Sequence, residues 1–160
     1  MNPVVIRPLQ SAGEARDCAG FMSASEPWLT LGFSERQIFQ RLTDTSREVY
    51  IAETAKQIAG VLVLHLDGPL NGYVQTVAVH PRWRNRGLGR RLMRFAEDRI
   101  FRVSPNVFLC VSSFNHRAQK FYEQLGYQRV GVLENYLKRG CAEHLLRKTH
   151  GPLLAFKPEK

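Results

Sequence analysis

The segment Val77-Ala78-Val79-His80-Pro81-Arg82-Trp83-Arg84-Asn85-Arg86-Gly87-Leu88-Gly89-Arg90-Arg91-Leu92 has the make-up of an anion cradle. An apolar stretch ends at Pro81, a basic loop follows, and Gly87 and Gly89 lead into a helical pattern. The first turn of a helix carries unpaired N–H groups and the positive end of the dipole. Glycine lets a pyrophosphate approach that backbone with no Cβ in the way, and arginines add charge-assisted hydrogen bonds. Three nucleotide-binding patterns compete. A P-loop requires Gly-Lys-Ser/Thr, whereas Gly89 is followed by Arg90 and Arg91. A Rossmann fingerprint requires a third small residue where Leu92 stands. The third, Arg/Gln-x-x-Gly-x-Gly/Ala, is met at each fixed position by Arg84-Asn85-Arg86-Gly87-Leu88-Gly89.

A second group of reactive side chains lies in Ser25-Glu26-Pro27-Trp28-Leu29, where a carboxylate and an indole flank a proline. Such a surface can hold an ammonium by charge and by ring face. Trp28 could equally plug the core beneath its loop. Cys141 and His144 have a spacing that could begin a metal site, but no second pair completes it. No metal is expected. No Gly-x-Ser-x-Gly elbow supports a serine hydrolase.

The elements that must position these groups can be read from periodicity and punctuation. Val4–Pro8 reads as a short edge strand. Ser11-x-x-Glu14 and Ser34-x-x-Gln37 are capping boxes opening two helices, the first with Ala15, Cys18, Ala19 and Met22 inward, the second with Ile38, Phe39 and Leu42. Residues 23–32 between them read as a loop. Strand patterns follow at Arg47–Glu53, Gln57–Leu66 and Gly72–Val79, joined by short turns as an antiparallel meander. A helix over Gly87–Phe101 buries Leu88, Leu92, Phe95, Ala96 and Ile100. Val107–Val111 reads as a central strand covered on both faces. Asn115 caps the next helix and Gly126 ends it. Arg129–Leu133 and Glu143–Thr149 form a last strand pair, and the tail after Gly151 is expected to be loose.

In element order and motif spacing from Val4 to about Thr149, the chain resembles the GNAT acetyltransferases. The likeness is strongest to the bacterial ribosomal-protein N-terminal alanine acetyltransferases and the GNATs around them. The downstream half carries it too: Leu109-Cys110-Val111-Ser112-Ser113-Phe114-Asn115, then Ala118, Phe121-Tyr122-Glu123 and Leu125-Gly126-Tyr127. The resemblance implies an α/β fold with a mixed, twisted sheet of seven strands and four flanking helices, splayed between the fourth and fifth strands. It implies acetyl-CoA as acyl donor, with main-chain contacts from Val77 and Val79. Arg84, Asn85, Arg86, Gly87, Leu88, Gly89 and Arg90 would wrap the pyrophosphate, and Asn115 would bond the cofactor arm. It also implies that Tyr122 bonds the sulfur and protonates the departing thiolate. A phenol of reference pKa near 10 is protonated at pH 7.

The general base is not inherited so directly. Relatives of the alanine-acetyltransferase type have a glutamate where Cys110 stands, and other GNATs place one where Tyr73 stands. Cys110 reads as a buried small residue. Glu26 is the nominated base, and Glu26, Trp28 and Tyr73 are the nominated acceptor contacts. The acceptor is a primary amine, either a small amine or a peptide N-terminus, with a lean to the small amine.

Composition sets the outer limits. The 160 residues are 44% apolar and 23% charged, ordinary for one globular domain, here 1–150 with a tail 151–160. No stretch approaches the roughly 20 apolar residues of a membrane span. Three scattered cysteines suit a reducing cytoplasm better than a disulfide framework. The net charge of +9 implies an anionic partner. Arg91, Arg94, Arg99 and Arg102 read as a solvated face. A nucleic-acid-binding module would explain the charge but not the paired glycines, Asn115 or Tyr122. A catalytically silent CoA binder stays open, as does a homo-oligomer.

Overall fold

The computed structural model describes residues 3–158. The chain runs β1 (Val5–Pro8), α1 (Ala12–Ser23), α2 (Trp28–Leu31), α3 (Glu35–Leu42), β2 (Glu48–Thr54), β3 (Gln57–His65) and β4 (Tyr73–Val79). It continues through α4 (Leu88–Ile100), β5 (Asn106–Ser112), α5 (His116–Gln124), β6 (Gln128–Glu134) and β7 (Ala142–Thr149). Short 3-10 turns lie at Pro81–Trp83 and Leu153–Ala155. One seven-stranded sheet has the order β1-β2-β3-β4-β5-β7-β6, with β1 at an edge. Only β4 and β5 are parallel neighbours, and α4 is the crossover between them.

Side-chain alternation along β3 decides where the helices sit. Val61 and Val63 pack with Ala15, Cys18, Ala19 and Met22 of α1 and Ile38 and Leu42 of α3. Leu62 and Leu64 point the other way, toward Leu88, Leu92, Met93, Ala96 and Ile100 of α4. An unbroken apolar run is what a strand covered on both faces requires. Burying each large apolar side chain contributes about 1.5–3 kcal/mol, against about 0–1 for an exposed ion pair, so the two helix layers hold the sheet more than its surface charges do.

Four expectations need amendment. Residues 23–32 are not all loop: Trp28–Leu31 makes one helical turn, too short to show periodicity, ended by Gly32 at φ +79°. The capping box at α3 is complete, but at α1 Glu14 bonds the Gln10 N–H at 2.7 Å and the Arg7 guanidinium at 2.7 Å. The nearby cation draws the carboxylate away from its reciprocal role. Third, β5 is covered on one face only: Val107, Leu109 and Val111 join the α4 core, while Phe108 and Cys110 are half-buried on the other side. The tail, finally, is ordered into the 3-10 turn at Leu153–Ala155, with Leu154 fully exposed.

Candidate active site

β4 and β5 are paired only at Tyr73–Phe108 and Val74–Leu109. The cause lies one residue further on. The β3–β4 register slips between Val63 and Leu64, leaving Gln75 as an extra residue on β4. A bulge bends its strand and increases its twist, which carries the rest of β4 away from β5. Gly72 lets β4 start close against β5: its φ is +86°, and a Cβ there would stand 2.3 Å from the Asn106 carbonyl oxygen.

The His80 N–H bonds the Ala59 carbonyl, and this sets the antiparallel phase. In that phase Thr76 and Ala78 turn their backbone groups to β3, while Val77 and Val79 turn theirs into the gap. The gap opens into a cavity of about 440 Å³. Val77 and Cys110 flank it, Asn115 and Tyr122 enter from the start and middle of α5, and Tyr73 and Glu143 enter from β4 and β7. Its roof is built by Glu26 and Trp28 and, from the β6–β7 connection, Tyr136 and Leu137. Lys138 Nζ donates to the Thr30 carbonyl at 2.6 Å and ties the two roof segments together.

Tyr122 is half-buried, its ring edge-on to Phe121 and to Tyr127. Among the described residues its hydroxyl has no hydrogen-bond partner, and burial pushes its pKa up to about 12. The group therefore stays protonated across the neutral range. Asn115 caps α5, its Oδ1 accepting the Ala118 N–H at 3.2 Å, which leaves the amide Nδ2 as the atom available to a ligand.

The basic loop divides into bound and free groups. Arg84 Nε donates to the Val79 carbonyl at 3.0 Å and Nη2 to Ser25 Oγ at 2.9 Å, so this side chain clamps the loop to β4 and to the roof segment. Asn85 accepts from Arg117 of α5. Arg86 lies over the Trp83 ring, and Arg90 is exposed. Gly87 has φ +77°, and a Cβ built on it would meet nothing within 4 Å. Gly89 is different, because its Cβ would contact Phe121 at 3.4 Å. That is ordinary contact distance, so Gly89 sits against α5 without being forced to be small. Among the described residues no side chain caps α4, so the N–H groups of its first turn, Leu88 included, are open to a ligand.

Glu26 is exposed at the cavity rim, and its two oxygens accept from the Thr30 N–H at 3.1 Å and the Thr30 hydroxyl at 2.7 Å. It caps α2. Trp28 packs partly against the α1–α3 cluster while lining the cavity, so both readings of that indole hold in part. Burial raises the pKa of both Tyr73 and the Cys110 thiol. The thiol is thereby kept neutral.

The group that sequence reasoning missed is Glu143. It is 3% exposed, sits opposite Ser112 in the β5–β7 register, and accepts a 2.6 Å hydrogen bond from the Ser112 hydroxyl. Burial raises its pKa, with the Ser112 bond opposing. Among the described residues no His/Cys/Asp/Glu cluster suits a metal, and no helix is long and apolar enough to cross a membrane.

The acetyltransferase (GNAT) family model matches residues 14–127. The chain belongs to the GNAT acetyltransferase family. Among curated relatives, the N-alpha-acetyltransferase RimI of Mycobacterium tuberculosis is 34% identical over 159 residues, covering 94% of this chain and 95% of that protein. The uncharacterized protein ML0378 of Mycobacterium leprae is 31% identical over 156 residues, covering 92% of this chain, which spans only 41% of that longer relative. Among solved structures, the ribosomal-protein-S18-alanine N-acetyltransferase of Escherichia coli superposes with a TM-score of 0.74 at 16% identity, covering 94% of this chain and 96% of that one.

Proposed function

We propose that this GNAT protein moves an acetyl group from acetyl-CoA to a primary amine by direct attack, with the donor along the β4–β5 gap and the amine beneath the α2 roof. The observation that carries the reading is Tyr122, whose unpartnered hydroxyl enters the cavity formed by that gap. The backbone groups of Val77 and Val79 would hold the pantetheine arm by strand addition. Gly87, Leu88, Gly89 and the uncapped first turn of α4, with Arg86 and Arg90, would take the pyrophosphate, and Asn115 Nδ2 would bond the arm. The Val79 carbonyl is already shared with Arg84, so its N–H is the freer contact.

Acetyl-CoA supplies an activated acyl carbon and, as the C–S bond breaks, a thiolate. A phenol with a pKa of about 12 does not readily surrender its proton to a thiolate whose conjugate thiol has a reference pKa near 8.5. Tyr122 therefore acts chiefly as a fixed hydrogen-bond donor to the developing charge, a role that strengthens in a dry site. Glu143 is the better base. It is buried in the cavity wall and oriented by Ser112, whereas Glu26 is exposed and bound to Thr30. We assign the amine's proton to Glu143, directly or through one water, and leave Glu26 a place in the roof. Tyr73 and Trp28 would line the acceptor side. The name of the Mycobacterium tuberculosis relative supports an α-amine acceptor.

Tyr122→Phe tests the reading. It removes one oxygen and keeps the ring, so kcat should fall about 10²–10³-fold, the loss expected for one fixed donor to developing charge, with a much smaller change in KM for acetyl-CoA. Near-normal kcat under conditions where chemistry limits the rate would make Tyr122 a packing residue.

A further inference from the structure

The acceptor side of the cavity contains a cation with no carboxylate partner among the described residues. Arg41, on α3, lines the wall with its guanidinium 4.4 Å from the Phe33 ring centroid. Its neighbour Arg47 is already engaged, by an ion pair with Asp44 and a bond to the Gln75 side-chain oxygen. Arg41 is exposed as a residue, but partial desolvation at the cavity wall lowers its pKa and the Arg47 charge acts in the same direction, so an added negative charge there would be welcomed. Arg41, Tyr73 and Glu143 all line the one cavity. The remaining roof carboxylate, Glu26, is held by Thr30 rather than turned toward Arg41.

We propose that the acceptor is an amine that also carries a carboxylate, with the carboxylate seated on Arg41 and the amine at the Glu143 end. This inference rests on the acetyltransferase reading and narrows its substrate class. A guanidinium stacked on an aromatic ring presents a planar, pre-oriented fork to a carboxylate, which a lysine could not do as well. A free amino acid, or a peptide with an acidic residue next to its N-terminus, meets both ends. A polyamine meets only one and brings a second cation against Arg41.

Calorimetry in the presence of CoA tests this without requiring turnover. Glutamate, the dipeptide Ala-Glu, its neutral counterpart Ala-Gln with an amidated C-terminus, and spermidine would each be titrated into the wild type and Arg41→Met. The methionine keeps a long apolar stem on Phe33 while removing the charge. Glutamate or Ala-Glu should bind the wild type and lose about ten- to a hundredfold in affinity in the variant, the range for a hydrogen bond to a charged group. Amidated Ala-Gln and CoA should bind both proteins alike, and Arg41→Lys should recover part of the loss. Whether glutamate or Ala-Glu binds more tightly identifies the source of the carboxylate. Tighter binding of spermidine, absence of binding by both carboxylate-bearing amines, or affinities unchanged in Arg41→Met would each overturn the proposal. Glutamate binding that depends on Arg41, yet gives no thiol release with acetyl-CoA, would count against acetyl transfer and leave the subsite standing.

Discussion

Glu143 shows how a single buried charge connects chemistry with stability. Its folded pKa is raised by burial, so the native state holds the proton more tightly than the unfolded chain. The sign follows from linkage: its contribution to stability is greatest below the ordinary carboxylate pKa and is lost as pH rises through the higher folded value. Glu143→Gln keeps an acceptor for Ser112 and removes the charge. The variant should melt at or above the wild-type temperature at pH 7–8 while losing about 10²–10⁴-fold in kcat. The acidic limb of the wild-type pH–rate profile should vanish with it. A lower melting temperature with kcat intact would return Glu143 to a structural role. Tyr122 and Asn115 were nominated through the family resemblance, on a helix whose start is readable, and both line the cavity. Sequence reasoning missed Glu143 because nothing local marks that strand position; its importance comes from lying across the sheet from Ser112, 31 positions away.

At the scale of elements, the strands and longer helices were legible because period and caps agree, as at Ser34 and Gln37 of α3 or Asn115 and Gly126 around α5. The bulge at Gln75 was not. It arises from a register slip between two strands, a pairwise property that neither strand displays alone. The one-turn helix at Trp28–Leu31 escaped for want of length. The start of α4 was legible in part: two glycines were visible, but the structure gives them different surroundings. Gly87 faces open space in a left-handed conformation, and Gly89 lies at ordinary contact distance from Phe121. Valine at 87 would strain a left-handed backbone as well as fill the cradle, and the two effects would be confused. Asparagine tolerates φ near +77° better than other side chains. Gly87→Asn should therefore fold normally and lose at least about tenfold in acetyl-CoA affinity, about 1.4 kcal/mol. Unchanged affinity in a normally melting variant would move the pyrophosphate elsewhere.

For the whole molecule, the net charge of +9 poses the choice between a compact anionic cosubstrate and an extended polyanion. The structure thins out the arginines that seemed to form one face. Arg84 is bound to Val79 and Ser25, Arg91 donates to the Val4 carbonyl, and Arg99 pairs with Glu48 at 2.5 Å. Those left near the α4 start are Arg86 and Arg90, beside the open first turn. A few cations around one pyrophosphate and a neutral backbone-paired arm should give a shallow salt dependence. Raising salt from 50 to 200 mM should weaken acetyl-CoA binding by less than about tenfold, because few charge contacts are screened. A protein tracking 6–10 phosphates of a duplex would lose about 10³–10⁵ over the same range through counterion release. Titrating acetyl-CoA and a short duplex DNA in parallel therefore separates the two kinds of partner. Tight duplex binding with that steep slope, in competition with acetyl-CoA, would mean that the charge on α4 serves a nucleic acid. Weak duplex binding beside a shallow acetyl-CoA slope would leave the surplus charge to draw an anionic cosubstrate toward the gap, where backbone and helix terminus determine its affinity.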